Sequence, residues 1–544
     1  MEWVLFFIAV IILIAVMFMN GISRERKAYR AYCDSLREDF GKVPALDYSE
    51  TDMDRIAEYH NKMLELNRVS GFALDDITWN DLDMGQIFMQ MNVTQSSIGE
   101  EYLYHVLRCP YLQKEGLEKW DSLVDFFSEN ETGRVEVQKL LHKFGKIQKF
   151  SLTKIIYTMM ELQKESNLIH IILDVLLAAS FCMIFVLPGP GVLFFITMLA
   201  VSIITYFRRK NEVSPYFTTF LYILNMLRAA EAINKLQYDV LLEEQERLHA
   251  VQKAFDGFEK NTYVLSTSTH TTDNPVELLL DYIRMLFHAD IIKFNSMLQT
   301  VQNHINEIEE LREILGRLDA AAAAASFKKS LAYACRPQFV KKELSKRAVL
   351  EINEAFHPLV EKPVANSIHA KDGVLITGSN ASGKSTFLKT IAICAILAQT
   401  IGIVPAKSYR GPLFRIYSSM ALKDNIRTKE SYYIVEIKSL KRIVDASAIE
   451  NPLLCLIDEV LRGTNTVERI AASSQILKGL LKPYVLCFAA THDIELTHIL
   501  ETCYTNYHFD EEVLENDIIF SYHLHKGRAE TRYAIKLLSI IGYE

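Results

Sequence analysis

The chain opens on an uninterrupted apolar run, Trp3 to Met19 (WVLFFIAVIILIAVMFM), followed by Arg24, Arg26, Lys27 and Arg30. Its length is at the short end of the roughly 17–25 apolar residues that cross a bilayer as a helix. The basic residues follow the run and there is no A-x-A cleavage site. This predicts an uncleaved transmembrane anchor over 1–20 with Arg24 onward in the cytoplasm. A second apolar block spans Leu168 to Phe207 and is broken only at Pro188-Gly189-Pro190-Gly191. It predicts a transmembrane hairpin within 167–210, its helices about Ile169–Leu187 and Val192–Phe207 and its turn at the Pro/Gly cluster. Lys154 and Lys164 precede the block and Arg208, Arg209 and Lys210 follow it, so both flanks are expected on the cytoplasmic side. His170 and Asp174 are assigned to the hairpin seam or its cytoplasmic end. The competing reading is a hairpin buried in a soluble core.

The segments 21–166 and 211–344 have few breakers and read as two parts of one helical core, the second including a lever. Phe294, Leu298, Val301, Ile305, Ile308, Leu315 and Leu318 follow a heptad with Arg312 at the skipped position. The spacing predicts one long helix whose seam packs on a neighbour in the same chain, with a dimerising coiled coil as the alternative. The run Ala320 to Ala325 favours helix and suggests no chemistry of its own. From about Val349 the pattern changes to short apolar strands alternating with helices, which predicts an α/β domain over 345–544.

Composition narrows this picture. With 544 residues the chain holds roughly three to five structural units. Half of its residues are hydrophobic and 23% are charged, which excludes a disordered or low-complexity chain. A net charge of −8 excludes coating of nucleic acid by bulk electrostatics, so any DNA contact must be local. The mean hydropathy of +0.08 is high for so charged a chain, and the two apolar blocks account for it. The eight cysteines form no C-x-x-C pair, which indicates neither a zinc knuckle nor a disulfide framework and fits a reducing compartment.

The chemistry gathers in the last domain. The strand Gly373 to Thr377 feeds Gly378-Ser379-Asn380-Ala381-Ser382-Gly383-Lys384-Ser385, a complete G-x-x-x-x-G-K-[ST] loop, and a helix begins at Thr386. In such a loop backbone N–H groups wrap phosphates, Lys384 reaches the β/γ-phosphates and the Ser385 hydroxyl ligates Mg²⁺. The strand Leu453 to Ile457 ends at Asp458-Glu459, where Asp458 would hold the metal through water and Glu459 would polarise the attacking water. A third strand, Tyr484 to Ala490, ends at Thr491-His492-Asp493 and brings His492 to the edge where parallel sheets bind ligands. The order is that of an ABC-type ATPase, without an LSGGQ signature before Asp458.

Five motifs then resemble, in order, those of the DNA mismatch-repair MutS family. They are Thr377 to Thr386, Ile403-Val404-Pro405-Ala406, Ser431-Tyr432-Tyr433-Ile434-Val435-Glu436, Asp458 to Thr466 and Ala490 to Leu496. His357-Pro358-Leu359 resembles the approach to that family's ATPase domain, Gly527 to Gly542 its closing segment, and Ile98 to Pro110 with Leu318 to Pro337 pieces of its core and lever. The resemblance implies ATP and Mg²⁺ as cofactors and a homodimer in which Ser431 reaches the γ-phosphate bound to the other subunit. It implies that Asn380 and the Gly463-Thr464-Asn465 turn sense nucleotide across that interface, and that His357 approaches the adenine. Departures are Ala381-Ser382 in place of a glycine pair, Val460-Leu461 before Arg462-Gly463, and Asn465 in place of a serine. The chain is also expected to lack the family's mismatch-reading and connector domains and any nuclease-like extension, and it shows no Phe-x-Glu wedge in a suitable context.

The expected fold is therefore α plus α/β, with transmembrane segments, a long-helical core and lever, and a carboxyl-terminal ABC-type P-loop NTPase domain. The expected protein is a MutS-like, DNA-associated ATPase, multi-pass in the cell membrane with its ATPase domain in the cytoplasm, and with double-stranded DNA and the bilayer as partners. The alternative is a membrane-anchored mechanochemical ATPase that acts on a protein or membrane partner without DNA. Three spans and this signature do not build a usual ABC transporter permease.

Overall fold

The computed structural model describes residues 19–20, 23–24, 26–69, 71–258, 260, 282–340, 347–379, 381–420, 432–461, 465–513 and 518–529. Nearly all of the expected anchor, together with Asn380, Ser431, Arg462 to Thr464 and the closing segment from Glu530, lies outside the described residues.

The helical body is built around Ile305–Ser330, against which the helix Ser97–Arg108 packs. Two glycines set the approach of these helices. A Cβ on Gly99 would lie 2.1 Å from Asp319 Oδ2, and one on Gly316 would lie 2.9 Å from the Ile98 carbonyl oxygen. The Ala320 to Ala325 run is wholly buried, because only small side chains fit where neighbouring elements come this close. Asp319 accepts hydrogen bonds from Gln95 N, Ser96 N and Ser96 Oγ at 2.6–3.0 Å, which ties the start of Ser97–Arg108 to the long helix. The heptad positions Phe294, Leu298, Val301, Ile308, Leu315 and Leu318 are buried within the one chain. They do not share one helix. His304, at φ −124°, separates Ala289–Asn303 from Ile305–Ser330. Asn303 and His304 are weak helix formers, which heptad spacing does not register. The skipped Arg312 is itself buried, with Nη2 2.8 Å from Glu101 and Nη1 2.7 Å from Glu309.

The apolar block forms two antiparallel helices, Leu168–Val186 and Pro188–Ile233, each long and apolar enough to cross a membrane. Two details differ from the sequence reading. Only Leu187 lies between the helices, and the Pro/Gly cluster forms the first turn of the second helix instead of a loop, because proline at the first helical position has the right φ and needs no donor. The second helix also does not stop at Phe207. Nothing in Arg208-Arg209-Lys210 breaks a helix, and it runs for 46 residues into the helical body. Most apolar side chains of 168–207 face outward, with Phe185 and Val186 77% exposed and Ile204 68% exposed. Gly191 and Ser180 lie in the seam, where a Cβ on Gly191 would meet the Ile184 backbone at 2.8 Å. His170 and Asp174 face His288, which precedes the helix Ala289–Asn303 outside the hairpin: Asp174 Oδ1 is 2.8 Å from His288 Nδ1, and the rings of His170 and His288 are 5.0 Å apart. Lys210 and Tyr206 bind the buried Asp290 at 2.5 and 3.0 Å and brace the base of the hairpin.

The remaining strands are β1 Pro337–Phe339, β2 Leu350–Ala355, β3 Asn366–Ala370, β4 Gly373–Thr377, β5 Ser408–Gly411, β6 Arg415–Ser419, β7 Leu453–Asp458, β8 Val485–Thr491, β9 Tyr504–Val513 and β10 Ile518–Lys526. A six-stranded sheet of order β10-β9-β4-β8-β7-β6 is parallel except for β10, and a four-stranded sheet has the order β1-β5-β2-β3. β4, β7 and β8 are apolar up to their last residue and fully buried, as expected of parallel strands covered on both faces. The helix Lys384–Thr400 joins this domain to the helical body: Gln399 O accepts from Tyr111 N at 2.8 Å, and Lys389 Nζ reaches Asp83 at 2.5 Å.

Candidate nucleotide-binding site

β4, β8 and β7 are neighbours, and all three parallel strands deliver their carboxyl ends to one place. The loop after β4 carries Gly378 at φ 151° and Gly383 at φ 105°, the latter in the left-handed region that glycine enters without a Cβ penalty. Ala381 holds φ 70° although it is not glycine, within the pair that stands where the resembled P-loops carry two glycines. The Lys384 ammonium donates to Gly378 O at 2.8 Å and Ser379 O at 2.6 Å and lies 3.5 Å from His492 Nε2.

Ser385 Oγ donates to Asp458 Oδ2 at 2.5 Å, which pairs the loop's hydroxyl with the carboxylate at the end of β7. Asp458 is buried, and its other oxygen, Oδ1, has no hydrogen-bond partner. A hydroxyl beside a buried carboxylate with a spare oxygen is a hard donor set of the kind Mg²⁺ takes, so these two residues fit the metal the family implies. Glu459 follows at φ 56° and turns its carboxylate to His492, with Oε1 2.6 Å from Nε2. His492 is fixed from behind, because Arg469 forks onto the adjacent Asp493 with bonds of 2.9 and 2.6 Å.

The loop and Glu459 border a cavity of about 500 Å³, within the usual range for small-molecule pockets, with Asp458 and His492 behind its lining residues. Ser379, Ala381, Gly383, Lys384, Ser385, Thr386 and Glu459 line it. His357 lines it as well, from the loop after β2, and burial pushes its imidazole down to about pKa 4, so the ring is neutral at physiological pH. Asn465 is not among the lining residues; its side chain caps the helix Thr466–Gly479 by accepting from Val467 N at 3.1 Å.

Sequence reasoning missed the far wall. Tyr522 enters the cavity from an irregular stretch of β10 at φ 54°, and Asn366 braces it by donating to Tyr522 O at 2.9 Å and accepting from Leu524 N at 2.8 Å. No motif marks these residues, since a hairpin distant in sequence supplies them. Glu436 was quoted within a motif but given no role. It is buried, and Leu461 N donates to its carboxylate at 2.5 Å, which links the helix Tyr432–Ala446 to the turn after Glu459.

A parallel sheet with a glycine-rich loop, a hydroxyl–carboxylate pair and a Glu–His pair at adjacent strand ends is an arrangement suited to holding a nucleotide. Residues 374–543 match the family described as MutS domain V. The chain is 31% identical over 301 residues to human MutS protein homolog 4, covering 52% of this chain and 31% of that protein. It is 31% identical over 263 residues to the DNA mismatch repair protein MutS of Pseudothermotoga lettingae, covering 46% and 31%. For the protein of the same description in Thermus aquaticus the values are 31% over 254 residues, 46% and 30%. Residues 374–543 are thus similar to MutS domain V, and the chain spans about a third of the length of the relatives it matches.

Proposed function

We propose that the protein binds and hydrolyses ATP with Mg²⁺ in a pocket completed by a second copy of the chain. We further propose that its helical body associates with double-stranded DNA. One observation carries the first reading: Lys384, Ser385 and Glu459 line a single cavity in a MutS-type domain, with Asp458 held against Ser385 and His492 against Glu459 and Lys384. Lys384 and the loop's N–H groups would hold the phosphates, and Ser385 and Asp458 the metal, which when bound offsets charge between the β- and γ-phosphates. Glu459 would take the proton of the attacking water, and His492 would orient Glu459 and face the γ-phosphate. Exposed Ile434, Ile437 and Val467 in this domain are apolar surface suited to a second copy, and Ser431 directly precedes the helix that carries the first two. The helix Lys384–Thr400 and its bond to Tyr111 supply a path from the pocket to the helical body.

The name of the bacterial relatives supports DNA as the ligand. The outward apolar face of 168–207 favours a second reading in one respect. It supports a protein held in the cell membrane, ATPase domain in the cytoplasm, whose motor acts on a protein or membrane partner.

Hydrolysis by the detergent-solubilised protein, measured alone and with homoduplex, mismatched and branched DNA, separates the readings. Each phosphate contact contributes about −0.9 to the slope of log K against log salt, so a slope near zero removes DNA as a direct ligand. Mixing Lys384→Ala and Ser431→Ala chains tests the shared site. Random dimers that each rebuild one of two sites recover about a quarter of full turnover, whereas a site contained in one chain recovers none.

A further inference from the structure

We propose that His60, His105 and Cys109 form a binding site in the helical body for one thiophilic divalent cation of the zinc type. His60 comes from the helix Glu50–Glu65. His105 and Cys109 are four residues apart at the end of Ser97–Arg108, a spacing that puts both on one face. Their donor atoms converge: His60 Nδ1 is 3.1 Å from His105 Nδ1, and Cys109 Sγ is 3.7 Å from the first and 4.0 Å from the second. Tetrahedral zinc, with bonds of about 2.0–2.1 Å to nitrogen and 2.3 Å to sulfur, sets its ligand atoms about 3.3 Å apart for two nitrogens and about 3.6 Å apart for nitrogen and sulfur. The three separations match those edges to within a few tenths of an ångström, so little movement is needed to close them on an ion.

The position of the cluster adds a second observation. His105 and Cys109 line a cavity of about 890 Å³ in the helical body, distinct from the nucleotide pocket. Three protein ligands beside an open cavity are the arrangement that leaves a fourth coordination position for water or a substrate. Arg108 is the neighbouring cation. It approaches the far nitrogen of His60 at 3.5 Å but is engaged by Asp76 at 2.5 Å, and a Cys109 thiolate would offset part of the added charge. Binding would fasten the helix Glu50–Glu65 to Ser97–Arg108, whose partner Ile305–Ser330 is the centre of the body.

The test is titration of the metal-free, detergent-solubilised full chain with Co²⁺. Saturation at one equivalent with a thiolate-to-cobalt charge-transfer band is expected. Cys109→Ser should abolish that band, and His105→Ala should weaken binding by at least the ~10–100-fold that the loss of outer-shell partners alone causes. ATP binding should be unchanged in both, which shows that they fold. A variant-free arm protects against misfolding: Zn²⁺ should slow alkylation of Cys109, read by mass spectrometry, but not that of Cys503. Absence of saturable binding, a charge-transfer band that survives Cys109→Ser, or unchanged alkylation of Cys109 would overturn the site.

Discussion

The helix Pro188–Ile233 carries Leu193, Ile196 and Ile204 on its outer surface, whereas the helix Ile305–Ser330 encloses Glu309, Arg312 and Asp319. In the first, apolar groups are outside. In the second, charged groups are inside. Arg312 tolerates burial because two carboxylates and Thr153 engage its two Nη atoms, although Nε has no partner among the described residues, and Asp319 because three N–H and O–H donors converge on it. Among the described residues little covers the outer face of the hairpin, which the proposed membrane reading would place in lipid. Past Lys210 the same helix turns inward, and Phe217, Phe220, Ile223 and Met226 are buried. One continuous rod thus leads from the apolar hairpin into the helical body.

Substitutions can break this contrast in order of severity. Arg312→Ala leaves Glu101 and Glu309 buried without their partner and should cost about 3–5 kcal/mol in denaturant unfolding of the solubilised chain. If the loss is under about 1 kcal/mol, the buried network is not holding the body together. Ile196→Lys places a charge on the outer face of the hairpin and should weaken partition into vesicles by about 2.5–3.5 kcal/mol while leaving the stability of the body unchanged. Equal flotation of variant and wild type would show that the hairpin meets something other than lipid. Ala322→Leu should overfill the contact made by the alanine run and destabilise by about 1–3 kcal/mol, a loss that thermal unfolding would detect. Asn465→Ala removes a helix cap and should cost about 1 kcal/mol. A fall in turnover beyond that loss of stability would assign the side chain to the nucleotide of a second copy.

The strand ends of the nucleotide-binding domain were legible because local chemistry marks them. Glycines permit the P-loop's backbone, and β4, β7 and β8 are apolar up to their last residue, each leading into its polar group. The far wall of the pocket was not legible, because Asn366 and Tyr522 are joined only by the return of β10 to β3. The end of the hairpin's second helix was misplaced for a related reason. A change from apolar to basic side chains marks a change of surroundings, not the end of a helix. The burial of Arg312 and the meeting of His60 with His105 and Cys109 depend on which helices cross, which no single-helix period reports.

The claim that the pocket hydrolyses ATP rests on Glu459 beside His492 and the metal pair. ATP binding and Mg²⁺-dependent turnover, measured together on the solubilised wild type and Glu459→Gln, test it directly. The account predicts similar ATP affinity in both and turnover at least ~100-fold lower in the variant, the lower end of what a lost general base costs. Equal turnover in the two proteins would contradict it.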